Sequence, residues 1–294
     1  MTATETRGLT VCTIDELNFP VEIRNNPMPH NSEYDKIIVG QLDGGDFFLN
    51  ACSSKYELVK NENIFPRIGE ILDQHNINYD VEFTHTNHVR FYANYVITDT
   101  RLGYTMNDTN DRIQPVLRVQ HSYNGLTKYK IVFGYFRLIC SNGLVIAVEE
   151  MKQYNLALTG KHTKSIIGSL KQLDTLLTIF ADDSEDIRTK LVDKYEILGG
   201  RAVTNVLDRV KEVMVENSLG IIQNSKFDTL EDITRRIMSE ANDNSLGYNG
   251  KVNDWLVYNG INQYINDDTL NIAAPEKRQE TDSKVFEYML AHAA

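Results

Sequence analysis

The sequence predicts an α+β fold: an antiparallel β-meander in the N-terminal half, followed by a mostly helical C-terminal half. Two observations carry that prediction. Asn124-Gly125 and Asn142-Gly143 each separate apolar runs of strand character, and an Asn-Gly pair readily takes the positive φ that a type I′ hairpin turn requires. After residue 165 the apolar residues recur at every third or fourth position, the period of an amphipathic helix. With 294 residues, of which 41% are hydrophobic and 24% charged, the chain has the apolar content to bury a core.

Along the chain, residues 1–35 are polar and carry Pro20, Pro27 and Pro29, so they read as an extended N-terminal arm. Residues 36–150 form the α+β sheet region. There, 37–41 and 46–52 are two short strands around the Asp43-Gly44-Gly45 turn. Residues 61–74 place Ile64, Ile68, Ile71 and Leu72 at helical spacing, with Pro66 acceptable only in the first turn. Strand character returns at 88–98 and on both sides of Asn124-Gly125. A two-residue hairpin there sets His121 opposite Lys128, Gln120 opposite Tyr129 and Val119 opposite Lys130. Residues 151–294 form the helical region packed on that sheet, within one compact domain. Its stripes are Ile166–Phe180, Ile187–Leu198 before Gly199-Gly200, Val203–Met214, Ile233 with Ile237, and Trp255–Ile265.

Charge and cysteine usage exclude several classes. The net charge of −11 gives no general attraction to nucleic acid or an anionic membrane. Three widely spaced cysteines (Cys12, Cys52, Cys140) suit a reducing compartment and form neither a disulfide framework nor a Cys-only zinc site. The first residues show no basic flank before an apolar run. The most apolar stretch, IVFGYFRLIC, has only about ten residues, against roughly 20 for a membrane span. The expectation is a cytoplasmic protein with no membrane partner.

Against that acidic background one segment is basic. Between Pro115 and Gln172 eight basic residues face only Glu149 and Glu150, a net +6 that leaves −17 for the rest. In the hairpin register the positive charge falls on one face with aromatic side chains interleaved. A cationic track with stacking rings is what single-stranded nucleic acid needs. The expected contacts are Arg118, His121, Lys128, Tyr129 and Lys130, joined by Lys161, His162 and Lys164 at the start of the next helix. Thr163 can cap that helix, whose free N–H groups attract phosphate. A plain reading stays open beside this one: a solvated sheet face whose lysines discourage edge pairing, and a capped helix start.

Other constellations carry less. His85 and His88, three apart on a strand, would point to opposite faces, which disfavours a metal site. The acidic run Asp182–Asp186 reads as a helix N-cap. Cys140 reads as a core thiol. No nucleophile elbow, phosphate loop or dinucleotide fingerprint is present, so no catalytic residue, metal or cofactor is expected.

Four blocks occur in order: LNACSSKYELVKNENIF at 49–65, RLICSNGL at 137–144, KHTKSI at 161–166 and WLVYNGINQYIND at 255–267. Together they resemble a phage- and plasmid-associated family catalogued as a domain of unknown function. Lys161 stands where that family has arginine. The resemblance implies a bacteriophage or mobile-element origin and brings no catalytic residues. The resulting expectation is a phage DNA-metabolism accessory protein in the infected bacterial host. It binds single-stranded nucleic acid, as a homo-oligomer similar to strand-annealing proteins, which share only a meander-then-helix order. The alternative is a non-enzymatic interaction protein that engages a host or phage protein: a host-takeover, anti-defence or virion-associated factor.

Overall fold

In the computed structural model, residues 5–6, 9–28, 33–99, 102–125, 129–137, 157–160, 175, 189, 192–216, 227–265 and 275–293 are described. The strands are β1 Glu5–Thr6, β2 Leu9–Cys12, β3 Val21–Asn25, β4 Lys36–Leu42, β5 Gly45–Cys52, β6 Tyr79–Thr86, β7 Arg90–Ile97, β8 Tyr104–Thr105, β9 Arg112–Ser122, β10 Tyr129–Arg137 and β11 Ala157–Gly160. The helices are α1 Ile14–Leu17, α2 Phe65–Gln74, α3 at 192–200, α4 Val206–Lys211, α5 Phe227–Ala241, α6 Asp254–Ile265 and α7 Pro275–Ala291. A π-helical turn, Glu212–Glu216, follows α4. Antiparallel sheets first and helices after make this an α+β fold. No helix among the described residues is long and apolar enough to cross a membrane.

The chain forms two compact units that interleave in sequence. Unit 1 is Met1–Asp99, Val116–Phe133 and Met151–Asp182; unit 2 is Thr100–Pro115, Gly134–Glu150 and Asp183–Ala294. One boundary falls at the expected position, between Glu150 of unit 2 and Met151 of unit 1. The chain also changes unit within the residue ranges of β9 and β10.

The main sheet runs β1-β2-β6-β7-β9-β10-β11, with β8 paired to β9; a smaller sheet runs β3-β4-β5. The described residues within 1–35 are part of this framework rather than an extended arm. β2 pairs with β6 and β3 with β4, and Leu17, Phe19 and Val21 are buried. Their apolar spacing is too short to register as a periodic run, yet burying each such side chain contributes about 1.5–3 kcal/mol. The strands β6 and β11 are also additions to the expected meander.

In unit 1, β7 alternates half-buried and buried positions without interruption: Phe91, Ala93, Tyr95 and Ile97 face the core. Against them pack Phe65, Ile68, Ile71 and Leu72 of α2, and the Tyr95 hydroxyl donates to the Phe65 carbonyl at 2.8 Å. Pro66 lies in the first turn of α2, where its missing N–H costs nothing. Phe19 bridges Phe47, Phe91 and Tyr123 at centroid distances of 5.6, 6.0 and 6.0 Å. Gly40 permits this contact, since a Cβ there would stand 2.6 Å from the Phe47 ring.

In unit 2, Trp255, Tyr258 and Ile261 of α6 are buried, with Ile233 and Ile237 of α5. A Cβ on Gly260 would strike the Ile237 side chain, so glycine lets α5 and α6 approach closely. The expected stripe over 166–180, the Asn142-Gly143 turn, Cys140 and the acidic run 182–186 lie outside the described residues.

Candidate functional site

The sheet of unit 1 has two unlike faces, and the alternation of β7 and β9 assigns the expected contacts to them. His121 and Tyr129 are both 0% exposed. The ring Nε2 of His121 lies 3.1 Å from the Val59 carbonyl oxygen, and its ring meets Tyr123 edge-on at 5.1 Å. Burial pushes the Tyr129 hydroxyl pKa up. Both are core residues, which corrects their expected role as nucleic-acid contacts. His121 shares its face of β9 with Leu117 and Val119, and Tyr129 its face of β10 with Ile131, and all of them are buried. Asn124-Gly125 still marks the bend, with Gly125 at φ +70°.

Arg118 is on the other face, half-buried. Its Nε donates to the Asn94 side-chain oxygen at 2.8 Å, across the cross-strand pair Asn94–Arg118. The same face carries Arg90 and Tyr92 on β7, with Tyr92 opposite Gln120. None of the three (Arg90, Tyr92, Gln120) was among the expected contacts. The signal for them is legible, since Arg90 and Tyr92 alternate with Phe91, Ala93 and Tyr95 on β7 and Gln120 lies between Val119 and His121 on β9. The face also carries Asp80 and Glu82, both exposed, on the neighbouring β6. Negative charge therefore borders the basic row on one side.

Lys130 takes the position between inward-facing Tyr129 and Ile131, and its backbone partner on β11 is Thr159. The outermost described pair of this ladder is Tyr129–Gly160. Lys128, Lys161, His162 and Lys164 themselves lie outside the described residues.

His85 and His88 form a second constellation. Opposite-face geometry fails here because β6 stops at Thr86, and Asn87 and His88 take φ of 49° and 55°. That turn folds His88 back onto His85. The rings stack at 4.0 Å, and the His88 N–H donates to His85 Nδ1 at 3.1 Å. Burial, with His88 alongside, pushes the His85 pKa down to about 4; burial lowers His88 as well, and Glu16 opposes both shifts. Glu16 is held in the capping box of α1, accepting from the Thr13 N–H at 2.7 Å. Near it, burial and the Glu16 charge push the Cys12 thiol up to about 12, so it is no nucleophile at neutral pH. Among the described residues, no group of three or more His, Cys, Asp or Glu side chains is arranged to hold a metal ion.

Among the described residues of unit 2, the buried carboxylates Asp111, Asp254 and Asp282 all accept hydrogen bonds. Asp254 accepts from Arg209 Nε and Nη2, each at 2.9 Å. Asp111 is buried and accepts from Arg137, from the Tyr248 hydroxyl at 2.7 Å and from Trp255 Nε1 at 3.0 Å. Asp282 accepts from Tyr258 at 3.0 Å and Asn262 at 2.5 Å. Burial nevertheless lifts the Asp282 carboxyl to about 6, against those two hydrogen bonds. Such fully enclosed pairs specify packing rather than offering a reactive surface.

Residues 48–197, just over half of the chain, match a family described as Domain of unknown function (DUF932). No curated protein and no solved structure matches the chain.

Proposed function

The chain belongs to the DUF932 family, and from that premise we propose that it is a phage or mobile-element DNA-metabolism accessory protein that binds single-stranded nucleic acid. It acts in the cytoplasm of the bacterial host as a homo-oligomer with strand-annealing character. The observation that supports this reading best is the segregation of charge. A net +6 segment lies in an otherwise acidic chain, and Arg118 stands with Arg90 and Tyr92 on one sheet face. Phosphates need such a localised row of cations, and a net-negative remainder limits indiscriminate binding. Lysines at a helix start are unfavourable unless an anion is present, which favours phosphate near Lys161 and Lys164.

Fluorescence anisotropy with a labelled oligonucleotide tests the reading, with the Lys161→Ala/Lys164→Ala double variant as comparison. The double variant should bind more weakly and flatten the salt slope by about one to two units. Light scattering at micromolar concentration tests the oligomer, and a strictly monomeric mass would refute it.

One observation favours the second reading, an interaction protein that engages a host or phage partner. Phe48 is 64% exposed on β5, which is an edge of the smaller sheet among the described residues. An exposed aromatic on an edge strand suits a protein contact. Phe48→Ser should leave oligonucleotide binding unchanged under the first reading.

A further inference from the structure

We infer that Asp43-Gly44 is a modification site, where the chain cyclises to a succinimide and reopens as isoaspartate, the substrate of an isoaspartate-specific carboxyl methyltransferase. The inference stands apart from the nucleic-acid reading. The two residues are the whole connection between β4 and β5, since Leu42 pairs with Gly45. Both are exposed. Among the described residues, no backbone hydrogen bond engages the Gly44 N–H, and the Asp43 carboxylate has no hydrogen-bond or ion-pair partner. A Cβ on Gly44 would meet nothing within 4 Å, so this peptide has room to rotate. An exposed turn of this kind is also where a backbone opens most easily.

The chemistry needs only these two residues and solvent. The Gly44 nitrogen, unhindered by a side chain, attacks Cγ of the carboxylic acid form of Asp43. An N–Cγ bond forms, the Cγ–OH bond breaks, and the amide proton leaves with the hydroxyl as water. A solvent water then adds back. Attack at Cγ restores aspartate, whereas attack at the Asp43 backbone carbonyl leaves a free α-carboxylate and a chain that runs through Cβ and Cγ. That chain has one more backbone atom in a two-residue turn, and turn length sets the register of a hairpin. The Gln41–Asp46 pair and the donation from Arg24 to Asp46 are the first contacts it disturbs.

Two Asn-Gly pairs make the contrast. In an open chain they cyclise faster than Asp-Gly, because an amide, unlike a carboxylate, needs no proton before attack. The fold closes both. The Gly250 N–H donates to the Ala241 carbonyl at 2.8 Å, and Asn249 Nδ2 donates to the Gly247 carbonyl at 2.9 Å. Asn259 is buried within α6, with its Nδ2 donating to the Trp255 carbonyl at 2.7 Å.

The experiment ages the full chain at neutral pH and physiological temperature, then maps its peptides by electron-transfer fragmentation. Methyl transfer by an isoaspartate methyltransferase gives a second readout. Isoaspartate should accumulate at position 43 over weeks while Asn249 and Asn259 stay intact; deamidation of any asparagine changes the mass and is read separately. In denaturant the order should reverse, with both asparagines converting first. Gly44→Ala places its methyl group in open space at a backbone φ any residue adopts, so it should fold like the wild type and slow the accumulation several-fold. The site is overturned if position 43 stays aspartate, if the folded chain follows the order seen in denaturant, or if Gly44→Ala converts as fast as the wild type.

Discussion

Arg137 and Asp111 form a wholly enclosed ion pair: Arg137 Nε lies 2.7 and 2.8 Å from the two carboxylate oxygens, and both side chains are 0% exposed. Arg137 also donates to Glu240. One of the eight cations of the basic segment is therefore neutralised inside unit 2 and takes no part in attracting phosphate. Charge counted along a sequence overstates the charge available at a surface.

Removing that partner has a defined cost. Asp111→Ala takes the enclosed carboxylate away from the Arg137 guanidinium and leaves the Tyr248 hydroxyl and the Trp255 indole N–H without their acceptor. Unit 2 should lose about 3–5 kcal/mol of stability. Denaturant unfolding followed by Trp255 fluorescence measures this, Trp255 being the sole tryptophan. Arg137→Met, which fills the volume without a charge, should leave the salt slope of oligonucleotide binding unchanged.

Acid should affect the two units in opposite directions. His85 has its pKa lowered to about 4 in the fold, so the unfolded chain binds more protons between about pH 6.5 and 4. Unit 1 accordingly loses stability as pH falls through that window. Asp282 has its pKa raised from 3.8 to about 6, so the folded chain binds more protons there. Unit 2 gains stability as pH falls from about 6 towards 4 and loses it as pH rises back through 6. Hydrogen exchange at pH 5 and pH 7 should show β6 opening more easily at the lower value and α7 less easily. Asp282→Asn should abolish the α7 trend.

Glu82 sits opposite Asn94, the residue that holds Arg118. Neutralising it should favour an anion on this face. Glu82→Gln should raise oligonucleotide affinity about two- to threefold at low salt, the scale of an exposed charge, and the gain should vanish at high salt. Anisotropy at two ionic strengths checks it.

The parts of the fold legible in the sequence are those fixed by local pattern. β4, β5, α2, β7 and α6 follow from periodicity and turn residues, and Asn124-Gly125 marks a real bend. What escaped depends on contacts distant along the chain. β6 buries only Phe83, Thr84 and His85, and two of those three do not count as apolar. The pairing of His85 with His88 depends on two positive-φ residues after the strand end. Trp255 finds its acceptor in Asp111, 144 residues away, which no window can read. The candidate site divides the same way. Arg118 was legible from charge, whereas the burial of His121 and Tyr129 depends on which face of β9 and of β10 meets the core.

The most direct test of the central claim is the salt dependence of binding to a single-stranded oligonucleotide. At about 50 mM salt the wild-type protein should raise the anisotropy of the labelled strand, and affinity should fall with a log–log slope of about −2 or steeper as salt rises, the signature of three or more phosphate contacts. No anisotropy change at that salt, or an affinity that stays flat across the titration, would contradict it.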